Sequence, residues 1–220
     1  MPKPHPRLLL VEGKEDMWVI PQFIEKSTLI SWGEKHEPEK WLAKIKEYGG
    51  VDELLQPGVI EAELKSPGLQ ALGVLVDANS DPGGRWNSIR LRAINAMPTI
   101  PVDLPSDGLV MENEDGLRFG VWLMPNCSAK GILETFLSLF IDNPTSELWA
   151  FIQTHCNDAK KLHNAPFKDI HLDKALIHAW LALQDPPGQQ LHSAIIQNIL
   201  KPNSPQADPF VTWFRKLFKV

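Results

Sequence analysis

Residues 69–84 read LQALGVLVDANSDPGG. From Leu69 to Asp77 the run is apolar and β-branched toward its end, the make-up of a strand buried in a parallel sheet. From Ala78 to Gly84 it turns to Asn, Ser, Asp, Pro and Gly, a dense turn signal. Arg85–Ala96 (RWNSIRLRAINA) then has Trp86, Ile89, Leu91, Ala93 and Ile94 apolar, which predicts a helix ended by Pro98. Strand, acidic turn and helix form the unit around which the rest is arranged.

Upstream, Arg7–Val11 (RLLLV) is a second short apolar run, opening into Glu12-Gly13. Lys14–Ile24 carries Met17, Trp18, Ile20 and Ile24 at helical spacing. Leu29–Trp32 is expected as a further strand. Trp41–Tyr48 and Val51–Leu55 are expected as helices, with Gly49-Gly50 as the break between them. Downstream, Leu109–Met111 and Leu117–Met124 flank Glu-Asp-Gly, which predicts a hairpin, and a helix is expected to begin in Lys130–Phe140. Beyond about residue 144 the strand signal stops. Leu148–His163, Asp173–Gln184, Gln189–Leu200 and Pro209–Phe218 all read as helices. The expected fold is α/β, with a mostly parallel sheet that includes a hairpin and a C-terminal helical extension. The expected division is 1–143 for the α/β domain and 144–220 for the extension, packed on the same core.

At 220 residues the chain can bury a sizeable core without disulfides. Its two cysteines, Cys127 and Cys156, form no CxxC pair, which argues against a structural zinc site and fits a reducing compartment. Leu8–Val11 is too short for the apolar centre of a signal peptide, and no run approaches the length of a membrane span. A cytoplasmic protein with no membrane partner is expected. Net charge is −5, which does not advertise nucleic-acid binding but does not oppose a site that concentrates carboxylates and recruits cations. Most of the eight tryptophans are read as core.

Several acidic residues fall at or just beyond the C-terminal ends of predicted strands, the edge where open α/β sheets bind ligands. Glu12 ends the first strand, and Asp77, Asn79 and Asp81 follow the central one. Asp16 lies one helical turn past Glu12, and Glu134 in the helix after the hairpin. Two carboxylates about 4 Å apart repel by roughly 4 kcal/mol at an effective dielectric near 20. A hard divalent cation with oxygen ligands relieves that repulsion. Asp77-x-Asn79-x-Asp81 also matches the start of an EF-hand loop, but Pro82 and Ser88 stand where Gly and Glu are needed, and a strand precedes it where a helix is required.

On Leu8-Leu9-Leu10-Val11-Glu12-Gly13 and Val74-Leu75-Val76-Asp77-Ala78-Asn79 the sequence resembles the Toprim superfamily. In that superfamily one Rossmann-like strand ends in Glu-Gly and another in D-x-D. Asn79 replaces the second Asp here, and Asp81 is the candidate to supply its charge. Asp16 matches an extra acidic position of the overcoming-lysogenization-defect (OLD) type nucleases, Glu134 their late Glu, and Lys174 their Lys; Ile132 departs from the Ser expected before Glu134. The resemblance covers roughly residues 7–140. It implies phosphodiester hydrolysis on DNA or RNA with Mg²⁺ or Mn²⁺, with Glu12 as general acid/base and Asp77 in the metal site. Lys174 is implied as a stabiliser of developing negative charge. It also implies water as nucleophile, because Tyr48 is the sole tyrosine and carries no topoisomerase motif. A bacterial defence or toxin effector, working with a partner protein such as an ATPase, is the setting it suggests. A catalytically weak Toprim-like protein that binds nucleic acid or a partner is the alternative, favoured by Asn79. The chain has no P-loop and no dinucleotide fingerprint.

Arg85 and Arg90, on the helix after the acidic turn, are the candidates for contact with a phosphate backbone, against the plainer reading of a solvated helix face. His155, His163, His171 and His178 lie in the helical tail with no H-x₃-H spacing, so no zinc site is expected there. Cys127 reads as a structural thiol. Pro209–Val220 is basic and apolar, and Phe210, Trp213, Phe214 and Leu217 are expected to pack onto the domain.

Overall fold

In the computed structural model, which describes residues 5–34, 36–141 and 147–220, the central apolar run becomes the middle strand of a five-stranded sheet. In chain order the elements are β1 (Arg7–Val11), α1 (Lys14–Thr28), β2 (Lys44–Glu47), α2 (Val51–Leu54), α3 (Val59–Leu64), β3 (Ala71–Asp77) and α4 (Pro82–Ala93). There follow β4 (Leu109–Glu112), β5 (Arg118–Met124), α5 (Leu133–Ser138), α6 (Glu147–Leu162), α7 (Leu172–Ala182), α8 (Leu191–Ile196) and α9 (Asp208–Phe218). The strands lie in the order β2-β1-β3-β5-β4, with only β4 antiparallel to its neighbour. The mostly parallel α/β sheet and its hairpin match the sequence expectation. The boundary expected at 143/144 lies outside the described residues.

Both faces of the sheet are covered, and alternation along the strands assigns each side chain to one of them. Leu9, Val11, Leu75, Trp122 and Met124 share a core with Ile20 and Phe23 of α1, Phe136 of α5, Ile177 of α7 and Phe210 of α9. Leu8, Leu10, Leu72, Val74 and Val76 share the other with Leu54 of α2, Ile60 of α3 and Trp86 and Ile89 of α4. The helix after β1 therefore packs on one face and the helix after β3 on the opposite face. Since β1 and β3 are adjacent and parallel, their C-terminal ends part around a crevice, the switch point of a doubly wound sheet.

α9 lies directly on the sheet. Gly73 and Gly120 are paired across β3 and β5, and a Cβ on either would come within 3 Å of Leu217 Cδ2. The two glycines form a thin patch that seats Leu217. Trp213 Nε1 donates to Leu109 O at 2.9 Å, and buried Arg118 donates through Nη1 to Leu217 O, which fixes the helix in register. At Gly120 the Leu109 carbonyl also lies 3.2 Å from the built Cβ, so the neighbour that must give is partly backbone. Gly120→Val is expected to cost about 1–3 kcal/mol, read by urea denaturation.

Some elements differ from expectation. Leu29–Trp32 is not a strand: Leu29 ends α1 in the left-handed region at φ 60, and Trp32 turns inward to accept Leu42 N–H on its carbonyl at 2.7 Å. The place beside β1 belongs to β2, inside the stretch expected to be helical. Its residues, Lys44-Ile45-Lys46-Glu47, alternate exposed and half-buried, the period of a strand at a sheet edge. α3 was not anticipated. Six tryptophans are buried, whereas Trp18 is 53% exposed and Trp41 is half-buried. The expected inner side of the last helix, Phe210, Trp213, Phe214 and Leu217, is buried. Among the described residues no helix is long and apolar enough to cross a membrane.

Candidate metal centre

Glu12 is the first residue past β1, and Asp77 is the last of β3. A backbone-to-side-chain bond joins them: Asp77 N donates to Glu12 Oε1 at 2.8 Å. Gly50 N holds the Glu12 carbonyl at 2.8 Å, which ties the end of β1 to the turn before α2. Asp77 Oδ1 in turn accepts from Leu133 N at 2.8 Å, at the start of α5. The next residue, Glu134, is thereby brought beside the strand ends. Asp16 folds back over the first turn of α1, with Oδ2 accepting from Gly13 N at 3.0 Å. Glu12, Asp16, Asp77 and Glu134 line one open cleft of about 470 Å³, with Glu15 and Lys174 at its side.

Burial and mutual repulsion dominate this cleft. Burial first, then the charges of Glu12, Asp16 and Glu134, push the Asp77 carboxyl up to about 8, against the pull of its bond from Leu133. Burial raises Asp16 to about 7, aided by Glu12 and Glu134 and opposed by Gly13 N–H. Burial raises Glu12 as well, opposed by its bond from Asp77 and by the nearby Arg85 guanidinium. Glu134 is only 3% exposed and has a cation beside it: Lys174 Nζ lies 2.8 Å from Glu134 Oε1 and 3.3 Å from Glu15 Oε2. Partial burial acts against that ammonium, but Glu134 and then Glu15 outweigh it and hold the Lys174 pKa above its ordinary value.

Two candidates stand apart from the cleft. Asp81 is the N-cap of α4, with Oδ1 accepting from Gly84 N at 2.9 Å, and it is exposed. Asp-Pro-Gly-Gly starts a helix here, with Pro82 in the first turn, and Asp81 lies outside the cleft lined by Glu12 and Asp77. Asn79 sits at φ 54 and exchanges both backbone bonds with Gly131, at 2.8 and 2.9 Å, facing neighbouring clefts that contain Ser80. Arg85 Nε donates to Asp77 O at 3.0 Å and so lies at the rim of the acidic cleft. Arg90 Nε donates to Pro101 O at 3.0 Å, tying α4 to the loop before β4. Cys127 is buried, with its thiol pushed up to about 12 by that burial, as suits a structural thiol.

Sequence reasoning missed Glu15, Glu47 and His178. One ligand atom each from Glu15, Glu134 and His178 lies within 4.8 Å of the others. The available signal was the position of His178 four residues after Lys174, on the same helical face.

The acidic cleft lies at the switch point of a mostly parallel, doubly wound sheet, the edge where open α/β sheets as a class bind ligands. The chain belongs to the family described as "Protein of unknown function (DUF3226)", which it matches over residues 6–219. No curated protein matches it. Among solved structures it is similar to the C-terminal region of the Xanthomonas campestris pv. campestris OLD protein. The identity is 15%, covering 98% of this chain and 93% of that chain, with a TM-score of 0.35.

Proposed function

We propose that this protein is a divalent-cation-dependent hydrolase of nucleic-acid phosphodiesters, of the Toprim kind. The observation that carries the reading is the convergence of Glu12, Asp16 and Asp77, from two adjacent strand ends and the helix between them, on one cleft. The donor set fits the cation: three carboxylates offer only oxygen, and burial, with repulsion from neighbouring carboxylates behind it, pushes two of them to about 7 and 8. Mg²⁺ or Mn²⁺ suits such ligands. Glu12, Asp16 and Asp77 would hold it, with Glu134 beside them. A bound ion there supplies neutralisation of phosphate charge and a more acidic water.

The chain's own residues supply the rest. Glu12, its pKa raised by burial and its carboxylate fixed by Asp77 N–H, is the group proposed to carry a proton to or from the reacting oxygen. Lys174 places an ammonium at the cleft wall, and Arg85 adds positive charge beside Glu12. Tyr48 donates its hydroxyl to Glu63 Oε1 at 2.8 Å, which supports water rather than tyrosine as nucleophile. DNA or RNA is the proposed substrate.

The test is cleavage of single- and double-stranded DNA and RNA by the purified protein with Mg²⁺ or Mn²⁺. Glu12→Gln is expected to lower the rate by about 10²-fold or more without lowering the melting temperature. Failure of the wild-type protein to cut any of these substrates would sink the reading. A second reading is a binder without hydrolysis, favoured by the position of Asn79 and Asp81 outside the acidic cleft. It expects nucleic-acid binding that survives Glu12→Gln, measured by fluorescence anisotropy.

A further inference from the structure

The wall of the cleft formed by α7 has a chemistry of its own. Lys174 and His178 lie one turn apart on that helix and face Glu15, in the first turn of α1, and Glu134, in α5. The Lys174 ammonium sits against both carboxylates, so the position between them already attracts and holds a cation. Among the described residues, no hydrogen bond or ion pair engages the His178 imidazole, although one of its ring nitrogens stands within 4.8 Å of a carboxylate oxygen from each glutamate. Ligands held about 2.0–2.2 Å from one tetrahedral ion are about 3.4 Å apart, so side-chain rotations that draw the three atoms together by about 1 Å close the site.

We propose that Glu15, Glu134 and His178 form a second cation site, separate from the all-oxygen group around Asp77, that takes a divalent transition-metal ion in competition with the Lys174 ammonium. The nitrogen ligand sets the class of ion. Imidazole suits Zn²⁺, Co²⁺ and related ions, whereas Mg²⁺ prefers oxygen alone. The competition follows from shared ligands: an ion that binds Glu15 and Glu134 must displace Lys174. The lysine is 45% exposed, so its head can swing into solvent without repacking α7. Lys174 is thus a built-in cation whose position sets how readily the site fills. The inference shares Glu134 with the proposed hydrolytic cleft and stands whether or not that cleft cuts phosphodiesters.

Co²⁺ is the probe, followed by the visible absorption of the bound ion in titrations of wild-type, Lys174→Met, His178→Gln and Glu12→Gln proteins. Lys174→Met is expected to bind Co²⁺ at this site about tenfold or more tightly than wild type, and His178→Gln about tenfold or more weakly. Excess Mg²⁺ is expected to leave the His178-dependent signal in place, and Glu12→Gln to retain it. Lys174→Gln replaces Lys174→Met if the latter does not fold, and His178→Gln is read in the otherwise unaltered protein. The inference is overturned if His178→Gln titrates as wild type, if removal of the lysine brings no gain, or if Glu12→Gln abolishes the signal, which would put the ion at the Asp77 group. Loss of nucleic-acid cleavage with the Co²⁺ signal intact counts against the hydrolase reading alone.

Discussion

Asp77→Asn is expected to raise the melting temperature of the protein in chelator at pH 8, and to remove the stabilisation that added Mg²⁺ or Mn²⁺ gives the wild type. Asn keeps the oxygen that accepts from Leu133 N and loses the charge that opposes Glu12, Asp16 and Glu134. The pH dependence has a definite sign. Asp77 is raised from 3.8 to about 8 and Asp16 from 3.8 to about 7, so between these limits the folded protein keeps protons that the unfolded chain releases. Their contribution to stability is full below pH 4 and is lost as the pH rises toward 8. Each tenfold change in a carboxyl's acidity on folding corresponds to about 1.4 kcal/mol. Because the two groups titrate against each other, the combined loss is on the order of a few kcal/mol, less than the two would give separately. Divalent cations should reverse the trend and stabilise most at the alkaline end. Thermal melts at pH 5 and pH 8, with chelator and with millimolar Mg²⁺, measure both effects. An Asp77→Asn protein less stable than wild type at pH 8 in chelator would contradict the electrostatic account.

Phe210→Ala is expected to cost about 3–5 kcal/mol, read from the midpoint and slope of urea denaturation. Phe210 is fully buried, and its ring lies 5.6 Å from Phe23, 5.3 Å from Trp122, 5.3 Å from Phe136 and 5.6 Å from Trp213. The damage should reach the acidic cleft. Phe23 belongs to the helix that carries Asp16, and Phe136 lies two residues after Glu134. A cavity between those helices loosens two carboxylates at once, so divalent-cation affinity is expected to fall with stability. A loss below about 1 kcal/mol would mean that the helices close over the gap.

The central strand was legible because burial on both faces demands an apolar run, and Leu69–Asp77 is one. Glu12 and Asp77 were legible as strand-end carboxylates, and the 2.8 Å bond between them follows from the pairing of β1 with β3. β2 was not legible, since an edge strand needs few apolar residues and Lys44-Ile45-Lys46-Glu47 shows a single one. Asp81 illustrates a different ambiguity. An acidic residue before Pro-Gly-Gly satisfies both a metal loop and a helix cap, and only the bond to Gly84 N separates them. The nearness of Glu15 to His178 depends on where α7 packs, more than 150 residues along the chain, and no local pattern encodes it. Lys174 entered through a family resemblance, and its ion pairs depend on the same packing.

The seat that Gly73 and Gly120 provide for Leu217 has a consequence for synthesis. β5 ends at Met124, and the helix that covers this patch begins about 80 residues later, at Asp208. At about 5–20 residues per second, a ribosome needs roughly 4–16 s to make the intervening chain. Throughout that interval the strands can pair while the patch around Gly120 and Trp122 lacks its lid. A nascent chain that pairs its strands in that interval presents an apolar surface to chaperones and neighbouring chains until Phe210, Trp213 and Leu217 arrive.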